Sequence, residues 1–305
     1  MIAFIDEKKA EFGVEPICSE LPIAPQTYYA AKSRPLSLRS HTDELRTTMI
    51  QKVHRENYGV YGARKVHAQL RREGHTIARC TVERLMRGAG LRGILRSKGP
   101  RTTTPGPAGE RPADLVERIF QAAAPDQLWV ADITYIRTFS GWVYAAFVTD
   151  VFSRRVVGWQ LSTSLHTDLA LDALEMGLWT RRRAGRDLTK LIHHSDRGVQ
   201  YRAIRYTERL AEAEAVASVG SKGDSYDNAM AEAFNSLFKA ELVRNKGPWR
   251  GINDLEIAVA EDIDRFNMRR LHGEIGMIPP DEAETNYYSQ QPDVTTTKRV
   301  EPSLH

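Results

Sequence analysis

In QLWVADITYIR, residues 127–137, the run of Trp, Val, Ile, Thr and Tyr favours an extended strand, yet Asp132 stands in its midst. An ionised carboxylate inside an apolar strand is costly unless it is paired or bound to a metal. Two further stretches of strand character follow. WVYAAFVTDVF (142–152) and RVVGWQL (155–161) are separated by short Ser-Gly and Ser-Arg breaks, the pattern of consecutive hairpins. Downstream, DLALDALEMGLWTRRR (168–183) places Leu171, Leu174 and Leu178 on one helical stripe, with Thr167 or Asp168 as the expected N-cap. LTKLIHH (188–194) predicts a fourth strand and AVASVG (215–220) a fifth, with a helix near 203–214 between them. Helices are expected at 226–243 and 253–268. The order strand, strand, strand, helix, strand, helix, strand, helix predicts an α/β layer architecture with a mixed sheet.

Two more acids stand beside Asp132. In HHSDRGVQYR (193–202), Asp196 ends the apolar run begun by Leu191 and Ile192. A lone carboxylate there would cap a turn; carboxylates converging on it would hold a metal. Glu232 lies in SYDNAMAEAFNSLFKAEL (225–242). At helical spacing Met230, Phe234, Leu237, Phe238 and Leu242 form an apolar stripe, while Asn228, Glu232, Asn235 and Lys239 form a separate polar one. Asp150 ends a strand and reads as a turn residue or a partner of Arg154, with an auxiliary ligand as the remaining alternative. Asp227 is a rival to Glu232 but points elsewhere around the helix. His193 reads as a core histidine.

Upstream, the chain is helical. In VEPICSELPIAPQTYYAAK an apolar helix ends near Leu21 and a second opens at Pro25, a candidate helix-turn-helix within 1–40. In YGARKVHAQLRREG, Val66 and Leu70 share a face, Arg64 and Lys65 lie away from it, and Gly74 is the expected stop. In ARCTVERLMRGAGLRGI, Val82, Leu85 and Met86 are apolar at helical spacing. Thr81, Arg84 and Arg87 recur on another face, as a recognition helix would present them to a DNA groove. Net charge is +4, yet residues 44–101 hold 14 Lys/Arg against 4 Asp/Glu, which points to a polyanionic partner. The expected division is a helical segment at 1–40, a basic helix-turn-helix DNA-binding domain at 41–96, a Pro/Gly-rich linker at 97–124, a catalytic core at 125–286 and a polar tail at 287–305.

No apolar run is long enough to span a membrane, and the start lacks the pattern of a secretory signal. The two cysteines, Cys18 and Cys80, lack metal-ligand spacing, so a reducing cytoplasm is the expected compartment, with nucleoid association implied by a DNA partner.

Thirty-five residues lie between Asp196 and Glu232, and Lys239 follows the glutamate by seven. This resembles the Asp, Asp, 35, Glu pattern of transposases with a retroviral-integrase-like core. WVADITYI, VTDVFSRRVVGW, HSDRGVQY, DNAMAEAFNSLFKAE and FNMRRLHGEIGMIPPDEAE, together with FGVEPICSELPIAPQTYY and YGVYGARKVHAQL, resemble the ordered blocks of bacterial insertion-sequence transposases of the second-open-reading-frame type. The resemblance runs from Ile5 to Tyr288.

It implies a ribonuclease-H-like fold with the first aspartate on the first strand, the second after the fourth, and the glutamate on a later helix. It implies that Asp132, Asp196 and Glu232 are catalytic and ligate two Mg2+ ions, with Mn2+ able to substitute. Such a pair activates an attacking oxygen and stabilises a leaving one in phosphodiester transfer. Lys239 would contact donor phosphates, Arg197 would face DNA, and His194 and Asn228 would support the site. Double-stranded DNA, as element ends and as target, would be the partner, with a homo-oligomer formed on it. An upstream-frame partner protein or a frameshift fusion is the further expectation. The rival functions are a DNA-binding regulator that keeps the fold without cutting, and a ribonuclease-H-like nuclease acting on hybrids or junctions.

Overall fold

The computed structural model describes residues 1–35, 37–95, 122–195, 199–219 and 229–291. Three short helices open the chain: α1 (Ile2–Phe12), α2 (Val14–Glu20) and α3 (Pro25–Ser33). Pro25 takes the first helical position of α3, where its missing N–H costs nothing. Ile5, Ile17, Cys18 and Tyr28 bury a small core of their own. A basic three-helix module follows, with α4 (Leu38–Glu56), α5 (Ala63–Arg72) and α6 (Arg79–Gly88). Ile50, Val53, Val66, Leu70, Val82, Leu85 and Met86 close its core. Gly74, at φ 86°, ends α5 in the left-handed conformation that its sequence predicts.

Five strands form one mixed sheet: β1 (Leu128–Thr138), β2 (Gly141–Asp150), β3 (Val156–Ser162), β4 (Ile192–Ser195) and β5 (Val216–Val219). Their order is β3-β2-β1-β4-β5. The first three pair antiparallel, whereas β1–β4 and β4–β5 are parallel. Helix α7 (Thr167–Arg183) covers one face, packing Leu169, Leu174 and Leu178 on Trp129, Ala131 and Val148. Helix α8 (Ile204–Glu212) lies between β4 and β5 in the chain. The other face is covered by α9 (Ala229–Phe238), which runs through a π-helical turn at Lys239–Val243 into α10 (Arg244–Lys246), and by α11 (Ile252–Met268). Phe147 meets Phe234 and Phe238 edge-to-face at the centre of that layer. Helix α12 (Pro280–Ser289) closes the described chain. This is the ribonuclease-H-like mixed sheet, preceded by an all-helical region.

Several local features differ from expectation. His166, not Thr167 or Asp168, is the N-cap residue of α7, and Asp168 instead pairs with Arg205 at 2.8 Å. The fourth strand begins at Ile192 rather than at 188. Asp187 accepts the Thr189 N–H, and this local turn holds residues 187–190 out of the sheet. Asp150 is fully buried and accepts from the Ser153 N–H and hydroxyl, each at 2.8 Å. It is thus a turn residue, while the Arg154 side chain pairs with Glu274. Tyr287 and Tyr288, expected in a polar tail, form the last turn of α12. There Tyr287 packs on Phe152 and Arg186 lies 3.5 Å from the Tyr288 ring.

The basic module is joined to the core by polar contacts, both buried and exposed. The Leu271 N–H donates to Tyr61 Oη at 2.7 Å, and Leu271 itself completes the module's core. Arg72 makes a two-pronged ion pair with Glu282 on α12. Lys246 and Arg265 stack over Tyr58 at 3.2 and 4.5 Å.

Candidate active site

Leu128 to Ala131 of β1 pair in parallel with Ile192 to Ser195 of β4. Among the described residues the pairing ends there, while β1 runs on to Thr138. Asp132 is the β1 residue that follows the last described pair. By strand alternation it follows Leu128 and Val130, which pack on Met230 and Ala231 of α9. Ser195, the residue before Asp196, is the register partner of Ala131, the residue before Asp132. Asp196 and Arg197 lie outside the described residues, as do Asp227 and Asn228.

Helix α9 supplies the other half. Glu232 is exposed in its first turn, and Asn235, one turn on, is buried. Asn235 Nδ2 donates to Asp132 Oδ2 at 2.7 Å, and the Ile133 N–H donates to Oδ1 at 2.9 Å. Both contacts are donations to the carboxylate, and they fix the side chain's rotamer. Asn235 Oδ1 is a buried oxygen with no hydrogen-bond partner among the described residues. Its opposite orientation would set two oxygens against each other, so the Asp132 contact decides the amide's direction. The sequence placed Asn235 on the polar stripe with Glu232 and gave it no role. Its spacing from Glu232 was the only available signal.

Lys239, half-buried at the start of the π-helical turn, lies with Nζ 4.7 Å from the Tyr135 ring. Burial lowers its pKa; the charges of Tyr135 and Asp132 oppose that shift, and Arg244 adds to it.

The histidines are internal. His193 is buried against the Tyr206 hydroxyl at 3.1 Å, and burial, with His194 beside it, lowers its pKa to about 4. His194 is fully buried, its Nδ1 3.0 Å from Ser218 Oγ on β5. This ties β4 to β5 and gives His194 no surface to offer DNA.

Among the candidate DNA contacts, Arg84 is bound at 2.8 Å to Asp43 on α4. Arg87 and Arg64 are exposed, and Thr81 is half-buried. Lys65 is half-buried with Nζ 5.2 Å from the Tyr61 ring, at the joint with the core rather than on an open face. The structure thus brings Asp132, Asn235 and Lys239 together, and separates Arg64 and Arg87 onto the basic module. Among the described residues no group of three or more His, Cys, Asp or Glu forms a metal cluster, and no helix is long and apolar enough to cross a membrane.

Comparison with known proteins bears on the whole chain. Residues 122–225 and 216–280 match integrase core domain families, and residues 40–99 match an HTH-like domain. A transposase of insertion sequence element IS986/IS6110 from Mycobacterium tuberculosis is 52% identical over 272 residues, covering 89% of this chain and 98% of the relative. The transposase of IS629 from Shigella sonnei is 48% identical over 294 residues, covering 95% and 97%. That of IS3A from Escherichia coli is 33% identical over 252 residues, covering 80% and 84%. The integrase core implies a divalent metal requirement, and the HTH-like domain implies DNA binding. With such identity along nearly the full length of its relatives, and a mixed sheet that carries an acid within its central strand, the chain belongs to the insertion-sequence transposases with an integrase core, enzymes that cut and join DNA.

Proposed function

We propose that this transposase cleaves and joins strands at the ends of its element through in-line phosphodiester transfer centred on Asp132, Asp196 and Glu232. The observation that carries the reading is the Ala131–Ser195 register, flanked by the Asn235–Asp132 hydrogen bond. The residues preceding two of the acids are paired, and the helix bearing the third is fastened to the first. The donor set fits a hard cation: carboxylates, with the unpartnered Asn235 Oδ1 close by and no competing thiolate. Asp132, Asp196 and Glu232 would hold two Mg2+ ions, with Mn2+ able to substitute, and the bound pair would activate the attacking oxygen and stabilise the leaving one.

The protein's own groups do the rest. Asn235 holds Asp132 in one rotamer. Lys239 meets the donor-strand phosphate beside it. Arg64, Arg87 and Thr81 of the module spanning 41–96 bind the element end, and the core spanning 125–286 carries the chemistry. Two ends must be held together, so the active form is at least a dimer on DNA, alone or with an upstream-frame partner or fusion. The test is a Mg2+-dependent nicking and joining assay on element-end DNA. Alanine at Asp132, Asp196 or Glu232 is expected to abolish both steps while end binding persists. Robust joining by any one of these variants would overturn the assignment.

A further inference from the structure

The β1–β2 hairpin leaves three large aromatic side chains in solvent. Tyr135 is 42% exposed, Trp142 46% and Phe139 78%. Tyr135 and Trp142 meet edge-to-face at 5.3 Å, so their outer surfaces are held in a fixed relation. A cation sits over each: the Arg137 guanidinium is 5.2 Å from the Trp142 ring, and Lys239 Nζ is 4.7 Å from the Tyr135 ring. Among the described residues neither cation has an ion-pair partner.

The hairpin tip is braced. The Phe139 N–H donates to the Trp249 carbonyl at 3.0 Å, and the Ser140 N–H and hydroxyl both donate to the Arg250 carbonyl, at 3.0 and 2.8 Å. Exposed rings on a braced scaffold lose little freedom when a flat ligand stacks on them.

We infer that Tyr135, Trp142 and Phe139 form a stacking platform for unpaired DNA bases beside the active site, with Arg137 and Lys239 gripping the flanking backbone. This rests on the assignment of Asp132 to that site. Lys239 links the two features, since it lies over Tyr135 and within the field of Asp132. Bases have a π-face whatever their sequence, and aromatic rings interleaved with cations are how proteins hold single strands. A second copy of the chain is disfavoured here, because symmetric contact would set Arg137 and Lys239 against their own kind.

The test uses the full chain without divalent metal and duplex DNA bearing a short unpaired overhang with 2-aminopurine in it. Stacking quenches the base's fluorescence, and the overhang should bind more tightly than the blunt duplex. Trp142→Ala and the most exposed variant, Phe139→Ala, should each lower overhang affinity about 5- to 150-fold and relieve quenching, with blunt-end affinity unchanged. Trp142→Phe should retain the effect. Equal wild-type affinity for blunt and overhanging ends would overturn the proposal. So would equal losses for both ends, or a change in self-association alone. Circular dichroism checks each variant's fold. Asp132→Asn separates the two readings: nicking should stop while quenching persists. Continued nicking would sink the active-site assignment and leave the platform to be judged by quenching.

Discussion

Ala131 and Ser195 are register partners on adjacent parallel strands, and each is followed in the chain by an aspartate. A parallel ladder that ends on this pair delivers both chains to the same end of the sheet. Ligand sites in open α/β sheets lie beyond the carboxyl ends of the parallel strands, the end that Ala131 and Ser195 mark. Asp132→Asn, Asp196→Asn and Glu232→Gln conserve shape and remove charge. Each should lower nicking of element-end DNA by more than about 100-fold, the upper range for disturbing a metal site's supporting contacts. Gel-shift affinity for the same DNA should stay near wild type.

Asn235 is the residue whose role was hidden in the sequence. Losing its hydrogen bond removes one of the restraints on the Asp132 carboxylate, and Asn235→Ala is expected to reduce the nicking rate about 10- to 100-fold. Asn235→Asp is more telling. It would set a second carboxylate within hydrogen-bonding distance of Asp132, and two like charges there cannot both ionise readily. The acid limb of the pH–rate profile should therefore move to higher pH. A merely structural role for Asn235 would lower the rate without moving that limb.

The antiparallel hairpins and the helix bearing Glu232 were legible because their signals are local: β-branched and aromatic runs between short breaks for β1 to β3 and an apolar stripe at helical spacing for α9. The burial of Asn235 was not legible, because its partner lies 103 residues upstream and a polar residue on a polar stripe reads as solvated. The π-helical turn at Lys239–Val243 was equally silent. Glu241, inside it, is held by Arg265 and Arg270, which belong to and follow a different helix. Leu188 looked like strand, and only the short-range competition from Asp187 keeps it out of the ladder.

Gly158 marks the closest approach of β3 to α7. A Cβ there would overlap the Ala173 carbonyl and stand 2.9 Å from the Gly177 N. Both are backbone atoms, so no side chain can swing aside. Gly158→Ala should destabilise the chain by about 1–3 kcal/mol or more, read as a lower thermal midpoint or loss of soluble protein. Gly88→Ala is the control. It lies within α6 with nothing within 4 Å of the added Cβ, and should be neutral or stabilising by about 0.5–1 kcal/mol.

Tyr61 Oη is the acceptor for the buried Leu271 N–H. Tyr61→Phe removes that acceptor while keeping the ring, leaving an N–H buried and unpaired. The expected cost is about 1–3 kcal/mol, concentrated at the joint between the basic module and the core. Hydrogen exchange at Leu271 should accelerate more than exchange in the central strands. Uniform acceleration would show that the joint does not open on its own.

Acid should weaken the same joint. His272 Nε2 lies 3.2 Å from the Phe266 carbonyl and Nδ1 lies 3.3 Å from an Arg270 nitrogen. The neutral ring satisfies both, donating from Nε2 and accepting at Nδ1. Burial, with Arg270 and Lys65 nearby, lowers its pKa to about 2 from an ordinary 6.5. The unfolded chain therefore takes up a proton below pH 6.5 that the folded chain refuses, so stability falls as pH drops through that window. By pH 4 the loss from this group approaches about 3 kcal/mol. Glu241 adds a second decline at lower pH. Burial pushes its carboxyl up, but Arg270 and the neighbouring Lys65 and Arg265 outweigh burial and hold it at about 2. The stability it contributes is complete above about 4.5 and is lost toward pH 2. Thermal midpoints measured from pH 7.5 down to 4 should fall steadily, and His272→Gln, which cannot take up the proton, should flatten the decline above pH 4.5. An unchanged slope in that variant would assign the acid sensitivity elsewhere, with buried His193 the next group to replace.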